Sequence, residues 1–213
     1  MIRQKKIFYQ FLDQIILSVH NFNEIWVIDH STTTEEAAGH SGGRYNKGGD
    51  ILYRWGNPLT YKMGTKQDQK LFGQHDAQWI EPGCPGTGNI LIFNNGAGRP
   101  NGQYSSIDEI IPPVTMNGEY VLEPESSFGP KNQIWTYISN PLSDFYSGHI
   151  SGAHRLPNGN TLICEGDDGI FFEVTKGKYI VWKYVNVFPD MFDNHVFKIH
   201  RYPLDYPGVR LLE

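Results

Sequence analysis

Positive charge is in short supply in this chain. Its 213 residues include 18 Lys and Arg against 23 Asp and Glu, for a formal net charge of −5 and a pI near 5.9. A nucleic-acid partner calls for a basic face that displaces phosphate counterions, and none is legible. Cysteine is scarce too: Cys84 and Cys164 are the only two, they form no CxxC pair of the metal-binding type, and two do not make a disulfide framework. No apolar run approaches the length of a membrane span. The opening MIRQKKIFYQFLDQIILSV has the basic-then-apolar order of an export signal, but Asp13 and Gln14 interrupt it and no clear small-residue cleavage site follows. A strand-forming segment is expected there. The signatures HExxH and GxSxG, a P-loop, and a GxGxxG ahead of a helix are all missing, so zincin, hydrolase, ATP-binding and dinucleotide-binding chemistries find no support. Long apolar faces of period 3.6 are lacking as well; a turn or short helix is expected only over residues 62–74.

What the chain has in quantity is turn formers and aromatics. Gly 23, Pro 13 and 14% aromatic residues, with 19% charged, suit short strands joined by tight turns. The stretches 31–49 and 94–106, rich in Gly, Ser, Thr and Asn, read as loops. Short segments also recur. ILYRWGNP, IWTYISNP and IVWKYVNV each run from an Ile through β-formers to Asn57, Asn140 and Asn186. DQIILSV, GNILIFN and GNTLICE form a second set, the last two opening on a Gly-Asn turn. HDAQWIEPG and GAHRLPNG precede those turns as first strands, while EIWVIDH, SSIDEII and GIFFEVT take the third place.

Four strands recurring about every seventy residues predict an all-β protein of four-stranded antiparallel blades, as in a β-propeller. The expected layout is one partial propeller domain, 1–213, with blades near 1–60, 71–141 and 147–187 and a C-terminal segment 188–213. A β-sandwich is the alternative. Three blades do not close a ring, since propellers have about 4–8. The rest is therefore expected from a longer chain or from further copies of this one.

First strands line the channel of a propeller, where a buried His or Arg needs a partner or a ligand. His75 beside Asp76, His149 and His154 fall there, with Arg99 in the loop after the next strand. Strand parity separates His75 from His154: aligning Ala77 with Ala153 sets His154 opposite Gln78, so only a bulge or a register change would aim both at one ligand. His30 and His40 flank STTTEEAAG, residues 31–39, and are expected to border the substrate entrance or to be structural or exposed side chains. Trp55, Trp79, Trp135 and Trp182 read as sheet-packing residues.

Several of these segments together resemble the arylsulfotransferase family: EIWVIDHSTTTEEAAGHSGG, GGDILYRWGNP, FGQHDAQWIEPG, GNILIFNNGAGRP and SGAHRLPNGNTLICEGDDGIFFEV. The similarity runs from about Leu12 to Pro207, and VFKIHRYPLDYPG looks like the end of such proteins. The resemblance implies a six-bladed propeller of which this is the C-terminal half. It implies transfer of a sulfuryl group from a phenolic sulfate ester to a phenol by a ping-pong route through a sulfated histidine. No nucleotide sulfate donor, cofactor or metal is called for. Position by position, it implies that His154 is the nucleophile and that His75 and Arg99 hold the sulfate. A further family histidine belongs on the strand before LDQIILS, where this sequence has IRQKKIFYQ and no histidine, through truncation or divergence. A non-catalytic propeller with a decayed site is the competing expectation. Members of the family are often periplasmic or otherwise exported.

Overall fold

The computed structural model describes residues 12–190 and 193–211. Among the described residues, eleven strands follow one another as antiparallel meanders in three sheets. The first sheet holds β1 (Gln14–Val19), β2 (Glu24–Asp29) and β3 (Tyr53–Trp55). The second holds β4 (His75–Trp79), β5 (Ile90–Asn94), β6 (Ser106–Ile110) and β7 (Trp135–Tyr137). The third holds β8 (Gly152–Arg155), β9 (Thr161–Glu165), β10 (Ile170–Val174) and β11 (Ile180–Val185). The segments matched in sequence around Asn57, Asn140 and Asn186 form β3, β7 and β11, the last strand of each sheet.

Neighbouring sheets meet through equivalent strands. β1 lies against β4, and β5 lies against β8. β1 thus stands to the second sheet as β5 stands to the third, which gives it a second-strand place. The first strand expected ahead of it falls on residues 1–11, outside the described residues.

Helix contributes little. The 31–49 stretch, expected as loop, contains one helical turn, α1 (Thr34–Ala37). Its cause is a capping box: Thr33 Oγ1 accepts from the Glu36 N–H at 3.2 Å, and the Glu36 carboxylate accepts from the Thr33 N–H at 2.8 Å. One turn is too short to show a helical period in sequence. The turn expected over 62–74 appears as a 3-10 turn at Lys66–Asp68, preceded by another at Pro58–Tyr61.

The second sheet is buried on both faces, which explains the unbroken apolar run ILIF of β5. Successive side chains point to opposite faces. Leu91 and Phe93 join Ile107, Tyr137, Phe145, Ala153, Ile163 and Phe172 in the core shared with the third sheet. Ile90 and Ile92 join Ile25, Val27, Tyr53, Trp55 and Ile110 in the core shared with the first. A buried ion pair reinforces the former junction: Arg155 Nη2 donates to Glu109 Oε2 at 2.7 Å, with the guanidinium 5.2 Å from the Trp135 ring centre. By contrast, every residue of β11 is exposed, and Trp182 stacks on Tyr184 rather than packing inside a sheet. Trp55 is buried, with its indole N–H on Pro130 O at 2.8 Å. Both cysteines are free and buried.

Phe145 sets its ring edge-on to Phe93 and Phe172, with centroids 5.5 and 5.4 Å away. Because it is fully enclosed, Phe145→Ala should lower unfolding stability by about 3–5 kcal/mol, read as a fall in the urea midpoint at unchanged slope.

Candidate functional site

β4 carries a bulge. His75 pairs with Phe93 and Gln78 with Leu91, so one extra residue is accommodated between the two pairs. Asp76 takes the left-handed conformation there, with φ 51. Its carboxylate supplies the compensation. Oδ2 accepts from the Ala153 N–H at 3.1 Å and from the Gln78 amide at 3.0 Å, and Oδ1 accepts from Lys198 Nζ at 2.6 Å. One side chain thereby ties β4, β8 and the C-terminal segment. Gly152 makes room for it, since a Cβ at that position would lie 2.4 Å from Asp76 Oδ2. Burial raises the Asp76 carboxyl above its usual range, and Lys198 only partly opposes this.

His75 is held from the other side. Its Nδ1 lies 2.8 Å from Asn95 Oδ1. The Asn95 amide nitrogen donates to Ser147 O at 2.8 Å and to Ile150 O at 3.0 Å, which fixes the oxygen toward the histidine. Nδ1 therefore carries the proton, and in the neutral ring Nε2 is a bare acceptor. The His20 ring stands 5.1 Å away. Burial lowers the His75 pKa, outweighing the Asn95 bond.

His154 owes its direction to its neighbours. Ala153 belongs to the core, and Arg155 reaches Glu109 in the same layer, so alternation sends His154 to the opposite face. Its ring meets that of His200 at 5.7 Å, and burial lowers its pKa below 6.5. His200 arrives on a segment clipped along the third sheet. The Val196 N–H donates to Gly166 O at 2.9 Å, Cys164 Sγ donates to Val196 O at 3.4 Å, and Arg201 Nη1 donates to Glu173 Oε2 at 2.6 Å. The same burial pushes the Cys164 thiol up to about 12.

Arg99 sits in a loop that only glycine allows to close: a Cβ on Gly96 would lie 1.8 Å from Tyr104 O. Its guanidinium donates to Tyr104 O at 3.1 Å and Ser106 Oγ at 2.7 Å, and lies 4.4 Å from the Tyr104 ring centre and 5.4 Å from that of Phe72. Among the described residues no direct contact joins His75, His154 and Arg99 to one another. His75 and His154 flank the Asp76 clasp, and Arg99 covers Phe72, three residues before His75. His30 and His40 are exposed, each paired with an aspartate, Asp13 and Asp50.

Sequence reasoning missed His20, Lys198 and His200. The alternation of Lys198 and His200 in VFKIHR was the available signal for two of them. A cavity of about 670 Å³ borders the cluster at His200, its lining including Leu162, Phe171, Trp182 and Tyr202 as well as the charged Glu173 and Arg201. It adjoins the histidines rather than containing His75 or His154.

The fold and the site together define an all-β protein whose sheet ends present neutral, desolvated imidazoles beside a cation, a set suited to anionic group transfer. The sequence model for arylsulfotransferase (ASST) matches residues 9–190, and the chain belongs to that family. Membership of the family implies a function of the sulfotransferase type, with an aryl sulfate donor and a phenol acceptor. Comparison with curated proteins finds no match. No helix among the described residues is long and apolar enough to cross a membrane.

Two outcomes follow. A depressed histidine pKa means that stability from neutral His154 is present above pH 6.5 and is lost as pH falls through the folded value. An NMR titration of the His154 ring should therefore show a midpoint below 6.5. Lys198→Met strips the Asp76 carboxylate of its cation and should cost ~1–3 kcal/mol in denaturant unfolding. It should also move the His154 midpoint upward, because Lys198 helps to hold it down.

Proposed function

We propose that this protein moves a sulfuryl group from a phenolic sulfate ester to a phenol through a sulfohistidine on His154, without a nucleotide sulfate donor. The observation that carries this reading is a half-buried imidazole whose own strand aims it away from the core, beside His200 and the Lys198–Asp76 pair. The bare nitrogen of neutral His154 attacks sulfur in line; an N–S bond forms as the bond from sulfur to the aryl oxygen breaks. His75, when protonated, gives its Nε2 proton to the departing phenoxide. An acceptor phenol then returns a proton to the bare His75 Nε2 as its oxygen attacks sulfur, and the N–S bond breaks. Nδ1 stays tied to Asn95 throughout, so one nitrogen performs both transfers. Arg99 and the His75 imidazolium balance the sulfuryl charge, with removal of such a donor expected to cost ~10²–10³ in rate.

The three sheets are read as consecutive blades of a six-bladed propeller within one domain, 1–213, with β4 and β8 toward the channel. Blades from a longer chain or a second copy would cover Ile15 and Leu17 at one end and Trp182 and Tyr184 at the other, all of which are exposed.

A non-catalytic binding module is the second reading. It is favoured by one observation: the Arg99 guanidinium is already engaged by Tyr104 and Ser106 and touches neither histidine.

With 4-nitrophenyl sulfate and a phenol acceptor, the catalytic reading expects ping-pong kinetics. It expects His154→Ala to bring turnover to background and Arg99→Gln to lower kcat by ~10²–10³. Undiminished turnover in His154→Ala would remove the mechanism; a folded chain that binds aryl sulfate without turnover would establish the second reading.

A further inference from the structure

Away from the Asp76 clasp, three ligand-type side chains converge from separate segments. His149 Nδ1 lies 3.2 Å and His195 Nδ1 lies 3.6 Å from the same atom, Oδ1 of Asp167. The two rings stand 5.7 Å apart, and one donor atom from each of the three residues falls within 4.8 Å of the others.

The backbone at each corner is anchored by hydrogen bonds, two of the corners through one hydroxyl. Ser147 Oγ donates to His149 O at 3.0 Å and accepts from the Asp167 N–H at 3.1 Å. His195 lies between Val196, whose N–H is on Gly166 O at 2.9 Å, and the buried Asn194, whose amide donates to Asp168 O at 3.1 Å and Asn186 O at 2.7 Å. The positions are therefore set by the fold, and little reorganisation separates them from a coordinating arrangement.

Two imidazole nitrogens facing one carboxylate oxygen are served either by two N–H donors or by one cation in place of both protons. Metal bonds of ~2.0–2.2 Å at a tetrahedral angle hold donor atoms roughly 3.3–3.6 Å apart. The separations of 3.2 and 3.6 Å bracket that range. Imidazole with carboxylate selects a borderline cation over Ca²⁺ or Mg²⁺, which favour all-oxygen sets.

We propose that His149, Asp167 and His195 form a site for a divalent transition metal of the Zn²⁺ type, with the remaining coordination taken by water. The metal staples the C-terminal segment to the β9–β10 turn. Beyond His195 that segment delivers Lys198 to Asp76 and His200 to His154. On the other side, Ile150 follows His149 and accepts from the Asn95 amide that fixes His75. The site is thus a positioning device for both histidines. It contributes no step to the transfer, and it does not depend on the transfer being correct.

The test titrates the metal-stripped full chain with Zn²⁺ by calorimetry, and with Co²⁺ by visible absorption. One Zn²⁺ per chain is expected, with affinity weakened at least ~100-fold in His149→Ala and in His195→Ala, beyond the 10–100-fold typical of groups that only orient ligands. The exposed His40→Ala should bind as the parent does. Hydrogen exchange at residues 194–200 should slow on Zn²⁺ addition. A folded parent chain that takes up no stoichiometric Zn²⁺, or a His149→Ala/His195→Ala double variant that binds equally well, would overturn the proposal. Should the variants fail to fold, Co²⁺-induced NMR shifts in the parent decide: shifts centred on residues 149, 167 and 195 support it, and shifts centred elsewhere refute it.

Discussion

The Asp76 carboxylate is the interaction on which the arrangement of the site depends. A residue with a positive φ and a largely desolvated carboxylate is unfavourable on two counts, conformational and electrostatic. Both are offset because the same oxygens serve a backbone N–H of β8, an amide of β4 and an ammonium from the C-terminal segment. The bulge turns the start of β4, glycine at position 152 lets β8 approach, and Lys198 brings His200 with it. Removing the carboxylate would leave three elements without their common point, so the histidine geometry and the local fold are not separable properties.

Around that point the sheets act as a frame. The second sheet is enclosed by the other two, and its side chains divide by parity between two apolar cores. The Arg155–Glu109 pair locks the second junction and, by using the inward parity of β8, commits His154 to the other face. Burial then keeps both His75 and His154 neutral to lower pH than free imidazole. A neutral ring is what the His154 nucleophile requires, so packing and nucleophilicity draw on the same desolvation, whereas His75 serves as acid only in the protonated form that burial disfavours.

The strands were largely legible because β-formers, Gly-Asn turns and repeated Asn positions mark them. The continuous apolar run of β5 reported a strand buried on both faces. The parity of His75 and His154 marks them in sequence as inequivalent, while the bulge in β4 between His75 and Gln78 is visible only in the structure. What stayed hidden depends on long-range contact. Lys198 and Asp76 are brought together by the fold, and no local spacing announces their pairing. The exposure of Trp182 is not legible in sequence, because its aromatic, β-branched surroundings look the same whether or not another layer covers them. The His149, Asp167 and His195 group shows no motif because its members belong to three different connections. The helical turn at α1 escaped because a capping box acts within four residues.

The central claim is that His154 is the group that carries the sulfuryl moiety. The most direct test is to mix the chain with 4-nitrophenyl sulfate in the absence of acceptor, quench at alkaline pH to preserve an acid-labile N–S bond, and map the modified peptide by mass spectrometry. The account predicts one sulfo group, on His154, released when phenol is added. A sulfo group on His75, His200 or any other residue, or turnover with no modified histidine at all, would contradict it.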